Sequence, residues 1–168
     1  MNISSFTKIL IITHILRDKK VEYSIRQLTT IYRLTDLLLE SGEKIDYVVY
    51  PDGFESEYVN TIIELLISKG FLHLENGVVK IVDPATRYVE SILMNPDSKF
   101  ERIYFRAVAK LLTLDYITLF NILAKHSVES KELELLVDDE KVREVLMEVK
   151  GFIRQQKRLV GLEKKRVD

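Results

Sequence analysis

The sequence contains no cysteine, so every function that depends on a protein thiol is excluded. The chain can form no disulfide, offer no thiolate to a metal ion and use no cysteine nucleophile. It also lacks tryptophan and has only three glutamines, while Ile, Leu, Val, Lys and Glu are abundant. This bias resembles that of proteins from high-temperature organisms, so a thermophilic source is expected.

A hydrophobic run long enough to cross a membrane is also missing. The longest candidate, ILIITHIL at residues 9–16, is interrupted by Thr13 and His14. It falls far short of the roughly 20 residues that a membrane-spanning helix needs. No small-residue cleavage site follows it, as one would in a secretory signal. The run therefore predicts a buried helix, and we expect a cytoplasmic protein without a membrane partner.

The chain has no excess of charge of one sign. Lysine and arginine together number 25 and aspartate and glutamate 26, which gives a formal net charge of -1. The general basic surplus typical of nucleic-acid-binding proteins is absent, so any electrostatic attraction must be local. At 168 residues the chain is long enough for one domain with a real core and short for two independent ones.

The spacing of apolar residues predicts a mainly α-helical protein. The first helix covers residues 4–17, with Ser4 or Ser5 as its N-cap, and the second follows Ser24 and ends before Ser41-Gly42. Later stripes predict two helices over about residues 98–112 and 114–125, a short segment near 130–137 and a long helix from 138 to about 160.

A β-rich segment follows the second helix. Residues 44–50, KIDYVVY, predict a strand that ends at the turn Pro51-Asp52-Gly53. Ser56 can cap the next helix, which ends at Gly70. An alternative pairs IDYVVY with FESEYV as a hairpin across the same turn. The spacing of three, four and three residues from Val59 to Leu66 favours the helix.

Residues 71–83, FLHLENGVVKIVD, contain two short apolar runs around Asn76-Gly77. This pair is preferred in type I′ hairpin turns because both residues need a positive φ. Asp83 followed by Pro84 predicts a further helix, with the carboxylate as its cap. The turn at 95–97 is the best boundary. It separates a core of residues 1–95 from residues 96–168, a helical extension packed on it that ends in a long basic helix.

No motif predicts catalysis. The sequence has no Gly-rich phosphate-binding loop, no nucleophile elbow and no HExxH metal site. Acidic pairs at 55/57 and 138/139 could do acid–base work, but positions at helix starts account for both. The histidines lie in different predicted elements, where packed or solvent-facing roles are expected: His14, His73 and His126. We expect a non-enzymatic protein with no catalytic residue, no metal ion and no cofactor.

The segment ELLISKGFLHLENGVVKIV resembles the last helix and wing of winged-helix domains, in which a Leu-x-x-x-Gly junction turns the chain sharply into the sheet. In winged-helix transcription factors that helix enters the major groove and the wing contacts the DNA backbone. The resemblance implies a DNA-associated regulator. The charge of this helix favours another use, because Glu55, Glu57 and Glu64 outnumber Lys69 outside its apolar stripe. Sheet closure or a protein contact are alternative roles for the hairpin.

A second resemblance covers roughly residues 5–125. Three segments follow one another in the order of the corresponding elements of the SocA-like antitoxin domain, also called Panacea. They are LTTIYRLTD at 28–36, then YVVYPDGFES, then KGFLHLENGVVKIVDPATRYVES. The chain has Pro51-Asp52-Gly53 where this family has Gly-Pro, and DPAT at 83–86 in place of a later Leu-Thr-x-x-Gly motif. Family members act mainly by binding proteins, as antitoxins or adaptors. The candidates for contacting a protein partner are Glu57, Asn60, Glu64, Glu75 and Asn76.

Basic charge is concentrated after residue 149. From Lys150 onward seven basic residues oppose two acidic ones, a net +5, so the first 149 residues carry -6. This segment could hold phosphates, form the solvated end of a helix, or dock on the acidic body of another copy. A homodimer is expected through the apolar stripe from Val142 to Leu159. The candidates for contacting DNA are Arg26, Arg33, Lys69, His73, Lys80, Arg87, Arg154, Lys157, Arg158, Lys164, Lys165 and Arg166.

Two functions therefore stay open. The first is a non-enzymatic, DNA-associated regulator of winged-helix type, with duplex DNA as its partner. The second is an antitoxin or adaptor module that acts by protein–protein contact. Both share one expected fold, which is mainly α: a winged-helix-like core of helices with a small antiparallel hairpin, extended by C-terminal helices.

Overall fold

A computed structural model describes residues 3–39 and 44–167, except for the side chains of Gln156 and of residues 159–167. The predicted mainly α fold with a small antiparallel hairpin and C-terminal helices is confirmed. The elements of the described part are, in chain order, α1 (Ser5–Lys19), α2 (Ile25–Leu39), β1 (Val48–Tyr50), β2 (Gly53–Glu55), α3 (Glu57–Ser68), β3 (Leu72–Glu75), β4 (Val78–Ile81), α4 (Asp83–Met94), α5 (Lys99–Leu111), α6 (Tyr116–Glu129), a 3₁₀ helix (Leu133–Leu136) and α7 (Glu140–Val167).

Capping side chains fix the start of several helices. At α2, the Gln27 backbone N–H donates to the Ser24 hydroxyl at 3.2 Å and the Ser24 N–H donates to the Gln27 side-chain oxygen at 2.9 Å. These reciprocal bonds form a capping box. The predicted capping role of Asp83 is wrong, because Val82 holds the N-cap position of α4. Asp83 instead accepts a hydrogen bond from Arg17 at 2.5 Å, which holds the pKa of its carboxyl below the usual range.

The first hairpin combines the two alternatives that the sequence left open. β1 and β2 pair antiparallel across the turn at 51–53, with Val48 opposite Glu55 and Val49 opposite Phe54. Helix α3 then begins at Glu57, with the Ser56 hydroxyl accepting from the Val59 N–H at 3.2 Å. The favoured helix is confirmed, and the hairpin given as its alternative forms as well, with β2 only three residues long.

The second hairpin forms where the Asn-Gly pair predicts it. Asn76 and Gly77 have φ of 51° and 78°. β3 pairs antiparallel with β4, with Leu72 opposite Ile81 at one end and Glu75 opposite Val78 at the other. Helix α3 ends just before it. Gly70, with φ of 78°, donates its N–H to the Ile67 carbonyl, and Phe71 donates to the Leu66 carbonyl. This pair of bonds is a Schellman motif, and it turns the chain sharply from α3 into β3.

Tyr23, between α1 and α2, connects the second hairpin to the helices. Its backbone carbonyl accepts the Val79 N–H of β4 at 3.0 Å, and its ring lies edge-on to Tyr116 of α6 at 5.5 Å. Only 5% of Tyr23 is exposed. Burial, assisted by the nearby Tyr116 and Asp115, raises the pKa of the Tyr23 phenol to about 12. The neutral phenol is therefore the form that the fold accommodates.

We expect Tyr23→Phe to protect the protein against alkaline pH. An unfolded tyrosine ionises near pH 10, whereas folded Tyr23 stays protonated until about pH 12. Below pH 10 Tyr23 is protonated in both the folded and the unfolded chain, so its ionisation does not change the free energy of unfolding. Between pH 10 and 12 the free energy of unfolding of the wild type falls by about 2–3 kcal/mol more than that of the phenylalanine variant. Urea unfolding of both proteins at about pH 9 and about pH 12 measures the difference. Parallel losses in the two proteins would contradict this expectation.

Helix α1 lies at the centre of the core. Every residue from Thr7 to Leu16 is buried, and α1 contacts α2, α3, α4, α5 and β4. A helix that is apolar on all sides belongs in a protein interior. Its buried cation is paired: the Lys8 ammonium lies 3.1 Å from the Asp36 carboxylate of α2.

The long helix α7 packs on α5 of the same chain. Val142, Leu146, Val149 and Ile153 are all buried, and they form part of the main hydrophobic core. The stripe predicted to join two copies is therefore covered within one chain from Val142 to Ile153, so this segment is not available as a homodimer interface. The last residue of the predicted stripe, Leu159, lies outside the described side chains.

Candidate interaction surface

Helix α3 exposes a surface that mixes apolar and acidic side chains. Its opposite face is buried through Val59, Ile62, Ile63 and Leu66. On the outward face Tyr58 is 43% exposed and Leu65 42%, and Phe6 of α1 beside them is 37% exposed. The α3 surface is defined here as Phe6, Glu57, Tyr58, Thr61, Glu64 and Leu65, all of which are exposed.

Two grooves meet at Glu57 and Tyr58. The first, of about 860 Å³, lies between the start of α3 and the chain that leads into β1, where Ile45 and Val48 line it. The second, of about 760 Å³, runs along α3 between Phe6 and Leu65. Because both are lined by Glu57 and Tyr58, the two grooves adjoin at the first turn of α3. Their mixed apolar and polar lining suits an extended or helical segment of another protein.

Tyr58 is held in place by a chain of hydroxyl groups. Its hydroxyl lies 2.6 Å from the Ser5 Oγ, which also accepts a hydrogen bond from the Tyr32 hydroxyl at 2.9 Å. Tyr32 is completely buried, so the chain connects the surface ring to the core. An aromatic side chain held in this way loses little conformational entropy on binding a partner.

The other three predicted partner contacts lie beside this surface or at the hairpin tip. Asn60 is half-buried in the second groove, and its side-chain oxygen has no hydrogen-bond partner among the described residues. Glu75 and Asn76 are exposed at the tip of the second hairpin. The structure therefore brings Glu57, Asn60 and Glu64 together on α3 and keeps the other two apart from them.

The basic side chains of the second hairpin lie beside carboxylates. The Glu75 carboxylate lies 3.1 Å from the Lys80 ammonium and 3.4 Å from the His73 ring, and Glu22 approaches Lys80 at 4.0 Å. The hydrogen bond from Lys80, followed by that from His73, lowers the pKa of Glu75. A wing that contacts DNA phosphates would need these side chains to face outward without a carboxylate beside them.

The two arginines predicted on α2 are also engaged within the chain. Arg26 forms a salt bridge with Asp52 at 3.0 Å and lies 3.8 Å from the centre of the Tyr50 ring. The hydrogen bond with Asp52 raises the pKa of Arg26. Arg33 is half-buried over the Tyr47 ring at 4.7 Å, and burial lowers the pKa of its guanidinium. Both arginines hold the first hairpin against α2.

The remaining DNA candidates do not form one surface. Lys69 is exposed at the end of α3, and Arg87 is exposed on α4. Arg154, Lys157 and Arg158 are exposed on α7, while Lys164, Lys165 and Arg166 lie outside the described side chains. Only the α7 group is a local concentration of positive charge.

Sequence reasoning missed the apolar part of the α3 surface. Tyr58 and Leu65 lie seven residues apart on the same face as Glu57 and Glu64, and that spacing was the available signal. Phe6 belongs to α1, whose residues from Thr7 to Leu16 are buried, yet it is itself exposed. It lies in the first turn of α1, where α3 covers only part of the helix.

The chain matches no protein-family model, no curated protein and no solved structure. The winged-helix and SocA-like resemblances therefore stay predictions. Within residues 3–39 and 44–167, no three His, Asp or Glu side chains are grouped so that they could hold a metal ion. None of the helices in these ranges is by itself long and apolar enough to cross a membrane, and α5 and α6 pass that test only as a pair bent by 104°.

Proposed function

We propose that this chain is a non-enzymatic interaction protein that binds a protein partner through the α3 surface. The observation that carries the proposal is the exposure of Tyr58, Leu65 and Phe6 along one groove that also contains two carboxylates, Glu57 and Glu64. Exposed apolar side chains that line a common groove are typical of protein-binding sites. This agrees with what the SocA-like resemblance implies, an antitoxin or adaptor role.

The chemistry of the α3 surface defines the partner. Tyr58 offers a rigid aromatic anchor, and the apolar side chains around it exclude water from the centre of a contact. The carboxylates of Glu57 and Glu64 would attract lysine or arginine at the rim and raise the association rate. The best occupant is a basic, amphipathic segment with an apolar face of a few side chains.

The same charges argue against DNA at α3. Phosphates would meet two exposed carboxylates there, and the cations of the neighbouring hairpin are already paired with Glu75 and Glu22. The DNA-associated regulator is therefore the second candidate function. The observation that favours it is the exposed group Arg154, Lys157 and Arg158 on α7.

Site-specific photocrosslinking in the native cells tests the α3 proposal. A photoreactive amino acid at position 65 is expected to give a crosslinked adduct of defined mass, whereas the same group at Val128 of α6, which is 85% exposed, gives none. Glu57→Lys combined with Glu64→Lys is expected to reduce the adduct about tenfold or more, because each tenfold loss corresponds to about 1.4 kcal/mol. Val128→Lys serves as the matched surface control and leaves the adduct unchanged.

Equal crosslinking from positions 65 and 128 would reject the α3 surface as the binding site. So would an adduct whose yield ignores the two charge reversals. Thermal unfolding of each variant, followed by circular dichroism, shows that any loss reflects binding and not folding, because substitutions at exposed positions are expected to change stability by only about 0.5 kcal/mol.

A further inference from the structure

A basic groove lies between α5 and α7, which pack on each other. It has a volume of about 400 Å³ and is lined by Lys99, Arg102, Ile103 and Arg106 of α5 and by Gln155 of α7. These five residues define the α5–α7 groove. Sequence reasoning did not single out its three cations, because they lie outside the basic C-terminal run.

The two helices run antiparallel along the groove. Lys110 of α5 lies 2.9 Å from Glu148 of α7, and one turn away the Arg106 guanidinium lies 4.6 Å from the Phe152 ring centre. Among the described residues that line the groove or form these contacts, the one carboxylate is that of Glu148, at the Lys110 end. From residue 149 to residue 162 the sequence of α7 contains no Asp or Glu. In this stretch α7 therefore offers no carboxylate to neutralise the cations of the groove.

The groove contains three cations and no carboxylate among its lining residues. None of the three forms a salt bridge within the described part of the chain. Two of them are fixed in position: Arg102 donates to the carbonyls of Asn95 and Pro96 at 3.3 Å, and Arg106 stacks on Phe152. A guanidinium stacked on a ring keeps its in-plane N–H donors available for a planar or tetrahedral anion.

Further positive charge continues around α7. Arg154 and Arg158 are one helical turn apart, both are exposed, and Gln155 of the groove lies between them in sequence. Together with Lys99, Arg102 and Arg106, they give two neighbouring rows of cations, each with a spacing of about one turn, or 5.4 Å. Rows with this repeat suit a ligand that carries a negative charge at regular intervals.

We propose that the α5–α7 groove and the adjoining arginines of α7 bind the sugar–phosphate backbone of double-stranded nucleic acid without reading its sequence. The choice of ligand follows from what the groove offers. Its one apolar lining residue, Ile103, is only 5% exposed, so the groove provides no anchor for a protein side chain. The large apolar residues that are exposed in the described part of the chain lie outside the groove. The nearby Phe152 ring is half-buried with Arg106 over it, so the described groove offers no free ring on which an unpaired base could stack.

This site is separate from the α3 surface. α3 contacts α1 and β3, while α7 contacts α5, α2 and the 3₁₀ helix. The α3 surface carries two carboxylates, Glu57 and Glu64, whereas the α5–α7 groove is lined by three cations. Phosphate binding at the groove is therefore compatible with a protein partner on α3.

Fluorescence anisotropy of a labelled mixed-sequence duplex, with the full chain and over a series of salt concentrations, tests the proposal. Lys99→Gln combined with Arg106→Gln is expected to weaken binding at least about tenfold near 0.1 M salt, and to reduce the slope of log K against log salt by about 2, since each phosphate contact contributes about 0.9. The matched control, Lys125→Gln combined with Lys131→Gln, removes the same charge from exposed positions at α6 and should leave both quantities within about twofold of the wild type.

Replacing Arg106 also removes its packing on Phe152, so a second variant that leaves this contact intact is needed. Arg154→Gln combined with Arg158→Gln alters only exposed positions of α7 and should produce a similar loss of affinity and slope. Equal effects of groove and control variants would overturn the proposal. The proposal would also be overturned if poly-glutamate, added at the same concentration of negative charge, displaced the duplex. The groove would then bind any polyanion and not a sugar–phosphate backbone in particular. Leu65→Lys leaves duplex binding unchanged, so failure here and failure of the α3 proposal can be told apart.

Discussion

Replacement of Lys8 by methionine is expected to lower the free energy of unfolding by about 3–5 kcal/mol. Lys8 and Asp36 form a salt bridge inside the core, with only 6% and 10% of their side chains exposed. The ammonium also lies 5.6 Å from the centre of the Tyr32 ring. Removing the cation takes the ammonium away from a buried carboxylate, and the cost of that loss exceeds the small gain from a better-packed apolar side chain.

Urea unfolding measures this effect, with Lys125→Met on the exposed face of α6 as its control. The control is expected to change stability by less than about 0.5 kcal/mol. The double replacement Lys8→Met with Asp36→Leu should recover much of the loss, because the double variant buries no charge at this position. If Lys8→Met were no more harmful than Lys125→Met, the salt bridge would have no role in holding α1 against α2.

Replacement of Gly53 by alanine is expected to destabilise the protein by about 1–3 kcal/mol. A Cβ at this position would lie 2.7 Å from the Arg26 carbonyl oxygen and 2.8 Å from the Tyr116 hydroxyl. The first contact is with the backbone of α2, which cannot move aside as a flexible side chain can. The Tyr116 hydroxyl is also held, since it donates to the Asp52 carbonyl at 2.6 Å. The first hairpin must therefore shift away from α2.

Gly151→Ala provides a control of opposite sign. No atom lies within 4 Å of a Cβ at Gly151, which is in the middle of α7. Alanine should therefore stabilise the helix by about 0.5–1 kcal/mol. Thermal unfolding compares the two, with a shift in Tm of about 2–4 °C per kcal/mol for a chain of this size. A Gly53→Ala protein with the wild-type Tm would contradict this expectation, because the hairpin would then shift without any loss of stability.

The helices and the second hairpin could be predicted from the sequence because their signals are local. The Ser24 cap lies next to the helix that it starts, and Asn76-Gly77 needs only its own φ angles to define the turn. The sequence could not show that the first hairpin and α3 form together, because the position of β2 depends on contact with α2. The approach of Gly53 to the Arg26 carbonyl joins residues far apart in sequence, and no short window of residues contains it.

The site was harder to predict for the same reason. The acidic character of α3 follows from its sequence, so Glu57 and Glu64 could be placed on an exposed face. Whether a cation is available to a ligand depends instead on its tertiary neighbours. Arg26 meets Asp52 and Lys80 meets Glu22, so counts of basic residues overstated the positive charge near the hairpins. Those counts also missed Arg106, whose importance comes from its position beside α7.

The burial of α1 on all sides has a consequence for how the chain folds. Its partners are spread from α2 to α5, so the contacts that cover it join residues up to about a hundred positions apart. During synthesis at the ribosome, ILIITHIL emerges before every element that covers it, and it is fully covered only once α5 has been made. In that interval the nascent chain presents its most apolar segment to the solvent, where it is prone to aggregation and is a natural binding site for chaperones.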